Sequence, residues 1–199
     1  MQEKEETVSV YLAARRQSVQ MQRYYDYWVR RILDLLPDRE SGSYLELMCG
    51  AAEVSRRISS VNLLTAVDID LALLSSARLD LDAQGKKHFS VICADATRLP
   101  FGNNTFDPIF LQGGLHHVKP SLDLVISEIS RILKPGGVLI ASEPANDNWL
   151  IKKVRHWQYY HSHHQGNDEG EDGFECNELA QVISNHRLKM EIYHHSYLS

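Results

Sequence analysis

The stretch Tyr44-Leu45-Glu46-Leu47-Met48-Cys49-Gly50-Ala51-Ala52-Glu53, with Asp68 eighteen residues beyond Gly50 in Leu64-Thr65-Ala66-Val67-Asp68, decides how this chain is read. An apolar strand runs into a turn of small residues and then into a helical pattern over 53–60. Backbone in such a turn approaches a ligand closely at the helix N-terminus, and an acid ending the next strand can hold a ribose diol. Met48 and Ala52 stand where a dinucleotide fold needs glycine. A pyrophosphate sits against bare backbone N–H groups, and a side chain as long as Met48 obstructs that approach. The pattern therefore favours an adenosine-bearing cofactor without phosphates.

Outward from this loop, strands and helices alternate. Strands are expected over 44–48, 63–68, 89–94, 109–111 and 138–142, and helices over 53–60, 71–83 and 121–133, with Gly85 capping the second helix and Lys134-Pro135-Gly136-Gly137 ending the third. Short apolar strands separated by helices mean a parallel sheet covered on both faces, an α/β doubly wound fold. Upstream, residues 1–20 mix charge and alanine, and 23–36 carry Tyr24, Tyr25, Tyr27, Trp28, Ile32, Leu35 and Leu36 at helical spacing before Pro37. The organisation read from this is an N-terminal helical cap over 1–40 and a cofactor-binding domain over 41–199. Beyond Pro144 the pattern changes. Residues 146–164 are rich in Trp149, Trp157, Tyr159, Tyr160 and histidine, and 165–173 form an acidic loop, so 146–173 reads as a helical lid inserted after the fifth strand. A helix over 177–187 and a strand over 188–195 follow.

Bulk properties bound the function. A chain of 199 residues suits one domain, and 43% hydrophobic with 24% charged residues is ordinary for a soluble protein. No apolar run is long enough to cross a bilayer, and Met1 to Glu6 lacks the character of a signal peptide. Three unpatterned cysteines (Cys49, Cys93, Cys176) read as reduced thiols, hence a cytoplasmic protein. A formal charge of −5 argues against a nucleic-acid binder, which needs a basic face.

In order along the chain, five motifs resemble the class I S-adenosylmethionine-dependent methyltransferases, in the small-molecule branch that includes the ubiquinone- and menaquinone-biosynthesis type. Glu46 to Ala52 is similar to the family's acid-x-Gly-x-Gly-x-Gly, with only Gly50 of three glycines kept. Val67-Asp68-Ile69-Asp70 is similar to the acidic end of the second strand, Ala94-Asp95-Ala96 to the loop that meets adenine, Asn104-Thr105-Phe106-Asp107 through Gln112-Gly113-Gly114-Leu115-His116-His117-Val118 to the fourth strand and the turn at the methionine end, and Leu133-Lys134-Pro135-Gly136-Gly137 to the approach to the fifth. The resemblance implies a Rossmann-like fold, S-adenosyl-L-methionine as cofactor with S-adenosyl-L-homocysteine as product, and a small-molecule acceptor. It places Glu46, Met48, Gly50, Asp68, Ile69, Asp95, Ala96, Gln112 and Tyr24 about the cofactor. The family's sheet ends in an antiparallel seventh strand, for which this sequence shows no segment. A homodimer through the lid or an open sheet edge is one way to cover that edge.

Methyl transfer from a sulfonium is an in-line displacement, so what remains for side chains is positioning and the acceptor proton. His116 and His117 follow the fourth strand at the edge where open α/β sheets bind ligands, and either can deprotonate a hydroxyl. Glu143, ending the adjacent strand, can orient the imidazole. These residues favour O-methylation of a hydroxylated or aromatic metabolite over N- or C-methylation. Trp149, Trp157 and Tyr160 are candidates to stack on the acceptor. Glu46 reads first as a carboxylate that fixes its own turn, and Asp95 competes with a plain turn aspartate. His161, His163 and His164 invite a metal-site reading, but they do not share a helical face and no cysteine or carboxylate completes a known spacing, so no metal is expected. Two rival functions stand beside the methyltransferase: a dinucleotide-dependent oxidoreductase, and a methyltransferase-like binding or regulatory protein without turnover.

Overall fold

The computed structural model describes residues 10, 12–14, 16–35, 42–58, 63–149, 152–153, 173–186 and 188–192. Its centre is a parallel sheet of β1 (Ser43–Leu47), β2 (Leu63–Asp68), β3 (Phe89–Cys93), β4 (Ile109–Gln112) and β5 (Leu139–Ser142), in the order β3-β2-β1-β4-β5. Order reverses between β1 and β4, so these two strands flank the switch point at which such sheets open a crevice. Every C-terminal strand end, from Leu47 through Asp68, Cys93 and Gln112 to Ser142, lies on that edge.

Helices form where apolar side chains recur on one face and cover the sheet. Helix α1 (Val19–Leu35) buries Tyr25, Val29 and Ile32. Val29 and Ile32 pack with Tyr44, Val54, Ile58, Leu64, Phe110 and Ile140. Helix α2 (Leu71–Ala83) starts at Asp70, whose side chain accepts from the N–H groups of Ala72 and Leu73. Helix α3 (Leu122–Ile132) buries Leu122, Val125, Ile126, Ile129 and Ile132 into the main core with Leu45, Leu47, Leu111 and Leu115. A 3₁₀ segment, Leu115–Ser121, leads into it, and α4 (Cys176–Asn185) packs beside it through Leu179 and Ile183. Burying seventeen core residues in that one cluster, each apolar side chain stabilising by roughly 1.5–3 kcal/mol, is what holds the strand ends in register.

Two expectations are corrected. Residues 50–57 form successive turns rather than a regular helix over 53–60. The Ser55 N–H is diverted to Glu46, and the bonds that follow alternate between spacings: Arg56 to Ala52, Arg57 to Val54, Ile58 to Val54. Residues 188–192 make no strand. Leu188 and Met190 do pack on the main core, so the alternation there is satisfied by burial without a ladder.

The segment after β5 leaves and returns at one point. Asn146 N–H donates to Phe174 O and Phe174 N–H to Pro144 O, both at 2.8 Å, and the Asn146 amide donates to Gly173 O. A Cβ on Gly173 would lie 2.1 Å from Pro144 O, so glycine is required for this close approach. Both ends of the 146–173 segment are thereby pinned next to Glu143. Among the described residues, no helix is long and apolar enough to cross a membrane.

Candidate active site

The loop after β1 takes up left-handed backbone three times: Met48, Gly50 and Ala52 all have φ of 53°. These are the three positions where the family pattern has glycine, and the backbone conformation that glycine serves is kept by methionine and alanine. A side chain there costs about 1–2 kcal/mol per residue. Packing holds it in place, since Ala52 is fully buried and Met48 lies against Gly114 of the loop after β4.

Two carboxylates organise this loop. Glu46, 3% exposed within β1, accepts from Ser55 N–H at 2.8 Å. Burial pushes its carboxyl up to about 7, against the lowering effect of the hydrogen bonds from Ser55 and Val54. This bond ties the turn back to β1. Asp68 Oδ2 accepts from Gly50 N–H at 2.7 Å and Oδ1 from Asp70 N–H at 2.9 Å. That carboxylate is held rigidly at the crevice with lone pairs to spare. Ile69 beside it is 69% exposed. Asp95 is exposed and accepts from Thr97 N–H and Oγ1, both at 2.8 Å, bonds that hold its carboxyl below the usual range; Ala96 sits within that turn. Gln112 ends β4, and its Nε2 is buried without a hydrogen-bond partner among the described residues. Tyr24 lies on α1, its ring 5.6 Å from Tyr25 and 6.4 Å from Trp28.

The loops after β4 and β5 meet through Glu143. Oε1 accepts from Gly114 N–H at 2.9 Å and Leu115 N–H at 2.8 Å; Oε2 lies 2.7 Å from His116 Nδ1 and accepts from His116 N–H at 3.3 Å. The His116 ring is 9% exposed and the Glu143 side chain 5%. With the carboxylate accepting at Nδ1, the proton is assigned to Nδ1 and the lone pair to Nε2, for which no partner exists among the described residues. His117 is exposed, its ring centroid 3.9 Å from that of His116. The sequence left the two histidines open; the ring bonded to Glu143 is that of His116. Asp107 is at the far edge, where Oδ1 accepts from Val138 N–H.

Trp149 is 68% exposed, with Lys153 Nζ 5.2 Å from its ring centroid. Trp157 and Tyr160 lie outside the described residues, as do His161, His163 and His164. No group of three metal-ligating side chains occurs among the described residues. Sequence reasoning missed Glu53. It accepts from Arg16 at 3.0 Å and from Arg56 and Arg57 at 2.8 Å, which ties the N-terminal segment to the loop. Burial raises its carboxyl, but the Arg57 and Arg16 bonds outweigh that and hold it low. The i, i+3 and i, i+4 spacing of Arg56 and Arg57 was the available signal; Arg16 had none.

Residues 45–141 match the model of a family described as a methyltransferase domain. A demethylmenaquinone methyltransferase from Beutenbergia cavernae is 29% identical over 61% of this chain and 49% of its own length. The chain spans about half the length of the curated relatives it matches. In fold it is similar to the YcgJ protein from Bacillus subtilis (TM-score 0.71, 18% identity, 82% of this chain and 69% of that one). It is also similar in fold to the [4+2]-cyclase SpnF (TM-score 0.67, 19% identity, 81% and 56%). Residues 45–141 are thus similar to a methyltransferase domain, and the solved structures share the fold.

Proposed function

We propose that the C-terminal edge of the sheet takes S-adenosylmethionine and that the chain methylates a hydroxyl of a small metabolite, with His116 as the base. The 2.7 Å contact between His116 Nδ1 and Glu143 is the observation that carries this. The residues present fit the cofactor. Asp68 offers a preoriented acceptor for a ribose diol, and the buried Gln112 Nε2 is a donor still lacking an acceptor. Met48, Gly50, Ile69, Asp95 and Ala96 follow the C-terminal strand ends on that edge, and Tyr24 of α1 would cover the cofactor. Glu46 acts behind the loop rather than on the ligand.

When bound, the cofactor supplies a methyl group on a sulfonium. The chain's own part begins at Nε2 of His116, which takes the acceptor proton as the oxygen becomes nucleophilic. Glu143 holds the ring in that tautomer and stabilises the imidazolium that results. Its bonds to Gly114 and Leu115 fix the loop, so one carboxylate sets both ring and backbone. Trp149, with Trp157 and Tyr160 of the 146–173 segment, supplies aromatic faces for a flat acceptor. The cysteines form no disulfide, in keeping with a reducing, cytoplasmic setting. Self-association through the outer edge of β5 or the lid segment belongs to the same proposal, and sedimentation velocity tests it.

The experiment is a panel of hydroxylated, amine and thiol acceptors with methyl-labelled S-adenosylmethionine. Turnover of hydroxylated compounds is expected, with His116→Ala slower by roughly 10²–10⁴-fold and His117→Ala much less affected. Full turnover in His116→Ala eliminates the base. C-methylation is the second reading, favoured by the name of the curated relatives: deprotonating a ring hydroxyl also makes the neighbouring ring carbon nucleophilic. Carbon NMR of the product separates O–CH₃ from C–CH₃. The similarity in fold to a [4+2]-cyclase is the reason a binding or non-methylating role must be tested too, since fold alone does not fix chemistry. Binding of S-adenosylhomocysteine without methyl transfer to any acceptor in the panel is the result that favours it.

A further inference from the structure

At the opposite edge of the sheet lies a second cleft, of about 440 Å³, where β2 and β3 begin. Leu64 and Phe89 pair at the start of these strands, and Leu64 is four residues, about 13 Å of strand, before Asp68. Ile58, Leu64 and Phe89 give the cleft an apolar floor, and Arg56, Lys86, Lys87 and His88 line it with positive or protonatable groups. No carboxylate lines it among the described residues, and 59–62, which complete the connection to β2, are Ser-Ser-Val-Asn. A basic cleft in a chain of net charge −5 stands against the overall composition.

The local bonding leaves this charge incompletely matched. Lys86 Nζ donates to Ser55 O at 2.6 Å and to Ile58 O, both neutral carbonyls, and burial pulls its pKa down. Arg56, by contrast, is matched by two carboxylates, Glu53 on Nη1 and Asp80 at 3.8 Å from Nε. Lys87 and His88 are exposed and make no side-chain bond among the described residues. Cations following the end of α2 also interact favourably with its dipole. That accounts for their presence there; it does not account for a cleft around them.

We propose that this cleft is a second ligand site, separate from the cofactor edge, for a small phosphate-bearing metabolite. Its volume suits such a molecule. Phosphate oxygens would take the Lys87 and His88 side chains, as charge-assisted bonds that an anion forms best. The apolar floor would receive the rest of the molecule. Arg56 and Ser55 belong to the turns that follow the cofactor loop, with Ser55 N–H on Glu46 and Ser55 O on Lys86, so occupancy would be felt at that loop.

Calorimetric titration with inorganic pyrophosphate, at ionic strength matched with sodium chloride, tests this. Wild-type protein is expected to bind one pyrophosphate saturably. Lys87→Ala/His88→Ala, which alters two exposed residues outside the core, is expected to weaken binding by about tenfold or more, while S-adenosylhomocysteine binding is unchanged in the same preparation. No saturable binding up to about 10 mM, or equal binding by the variant, overturns the proposal. Because S-adenosylhomocysteine is titrated separately, failure of this site is distinguished from failure of the cofactor site.

Discussion

Gly114 is the position where a single methyl group should do most damage, through Met48. Its φ of −114° suits any residue, so only space requires glycine. A Cβ there would lie 2.5 Å from Met48 Sδ, 2.7 Å from Met48 Cβ and 3.2 Å from Met48 Cγ. The sulfur can swing aside, but the Met48 Cβ is fixed to backbone held at φ 53°, so one of the two loops must move. Overpacking of this kind costs about 1–3 kcal/mol, the loss expected for Gly114→Ala. Met48→Gly relieves roughly 1–2 kcal/mol of left-handed strain. It gives up about 1–2 kcal/mol of partly buried thioether and about 0.5–1 kcal/mol to the looser unfolded chain. The single variant should therefore lie between about 0.5 kcal/mol more stable and about 2 kcal/mol less stable than wild type. In Met48→Gly/Gly114→Ala the obstruction is gone, so the cycle should show a favourable coupling of about 1–3 kcal/mol. Urea denaturation followed by circular dichroism reads all four corners. A Gly114→Ala protein within about 0.5 kcal/mol of wild type, or a coupling below that size, refutes the contact and the loop geometry built on it. Since Gly114 N–H bonds to Glu143, the same substitution should also disturb the His116–Glu143 pair.

Further expectations concern the carboxylates. Glu46 titrates near 7 when folded and near 4.5 when free, so the folded state binds its proton more tightly. Its contribution is fully present at acid pH and is lost as pH rises through about 7, a swing of roughly 3 kcal/mol. Between pH 5 and 8 the urea midpoint should fall less in Glu46→Gln than in wild type; parallel profiles contradict the assignment. Asp70→Ala removes the side chain that caps α2 and should cost about 1 kcal/mol, with Asp70→Ser recovering most of it; equal stability of the two variants would show that the cap is not made.

The sheet was legible because its strands are short apolar runs with clear boundaries. β2 and α2 fall on the expected residues, and the other strands shift by one position at one or both ends. What failed was local. The turns over 50–57 look helical by composition, but the Ser55 N–H goes to a carboxylate nine residues away, a bond that apolar periodicity does not register. The alternation over 188–192 reads as a strand, yet a strand needs a ladder partner and burial alone suffices for Leu188 and Met190. At the site, residue types were readable and connections were not. Missing glycines at 48 and 52 were visible in the sequence, but not that methionine and alanine would adopt the glycine conformation. Glu143 was expected beside a histidine; its bonds to the backbone of Gly114 and Leu115 depend on how two loops meet 28 and 29 residues apart.

Titration of S-adenosylhomocysteine and of NAD into the wild-type protein and into Asp68→Ala, with the fold of each checked by its thermal melt, probes the cofactor edge. One S-adenosylhomocysteine per chain and no heat with NAD is the expected result. Loss of two charge-assisted bonds to a ribose should weaken the Asp68→Ala complex by about 10–100-fold. Binding of NAD in preference to S-adenosylhomocysteine, or an undiminished affinity in a folded Asp68→Ala protein, would contradict it.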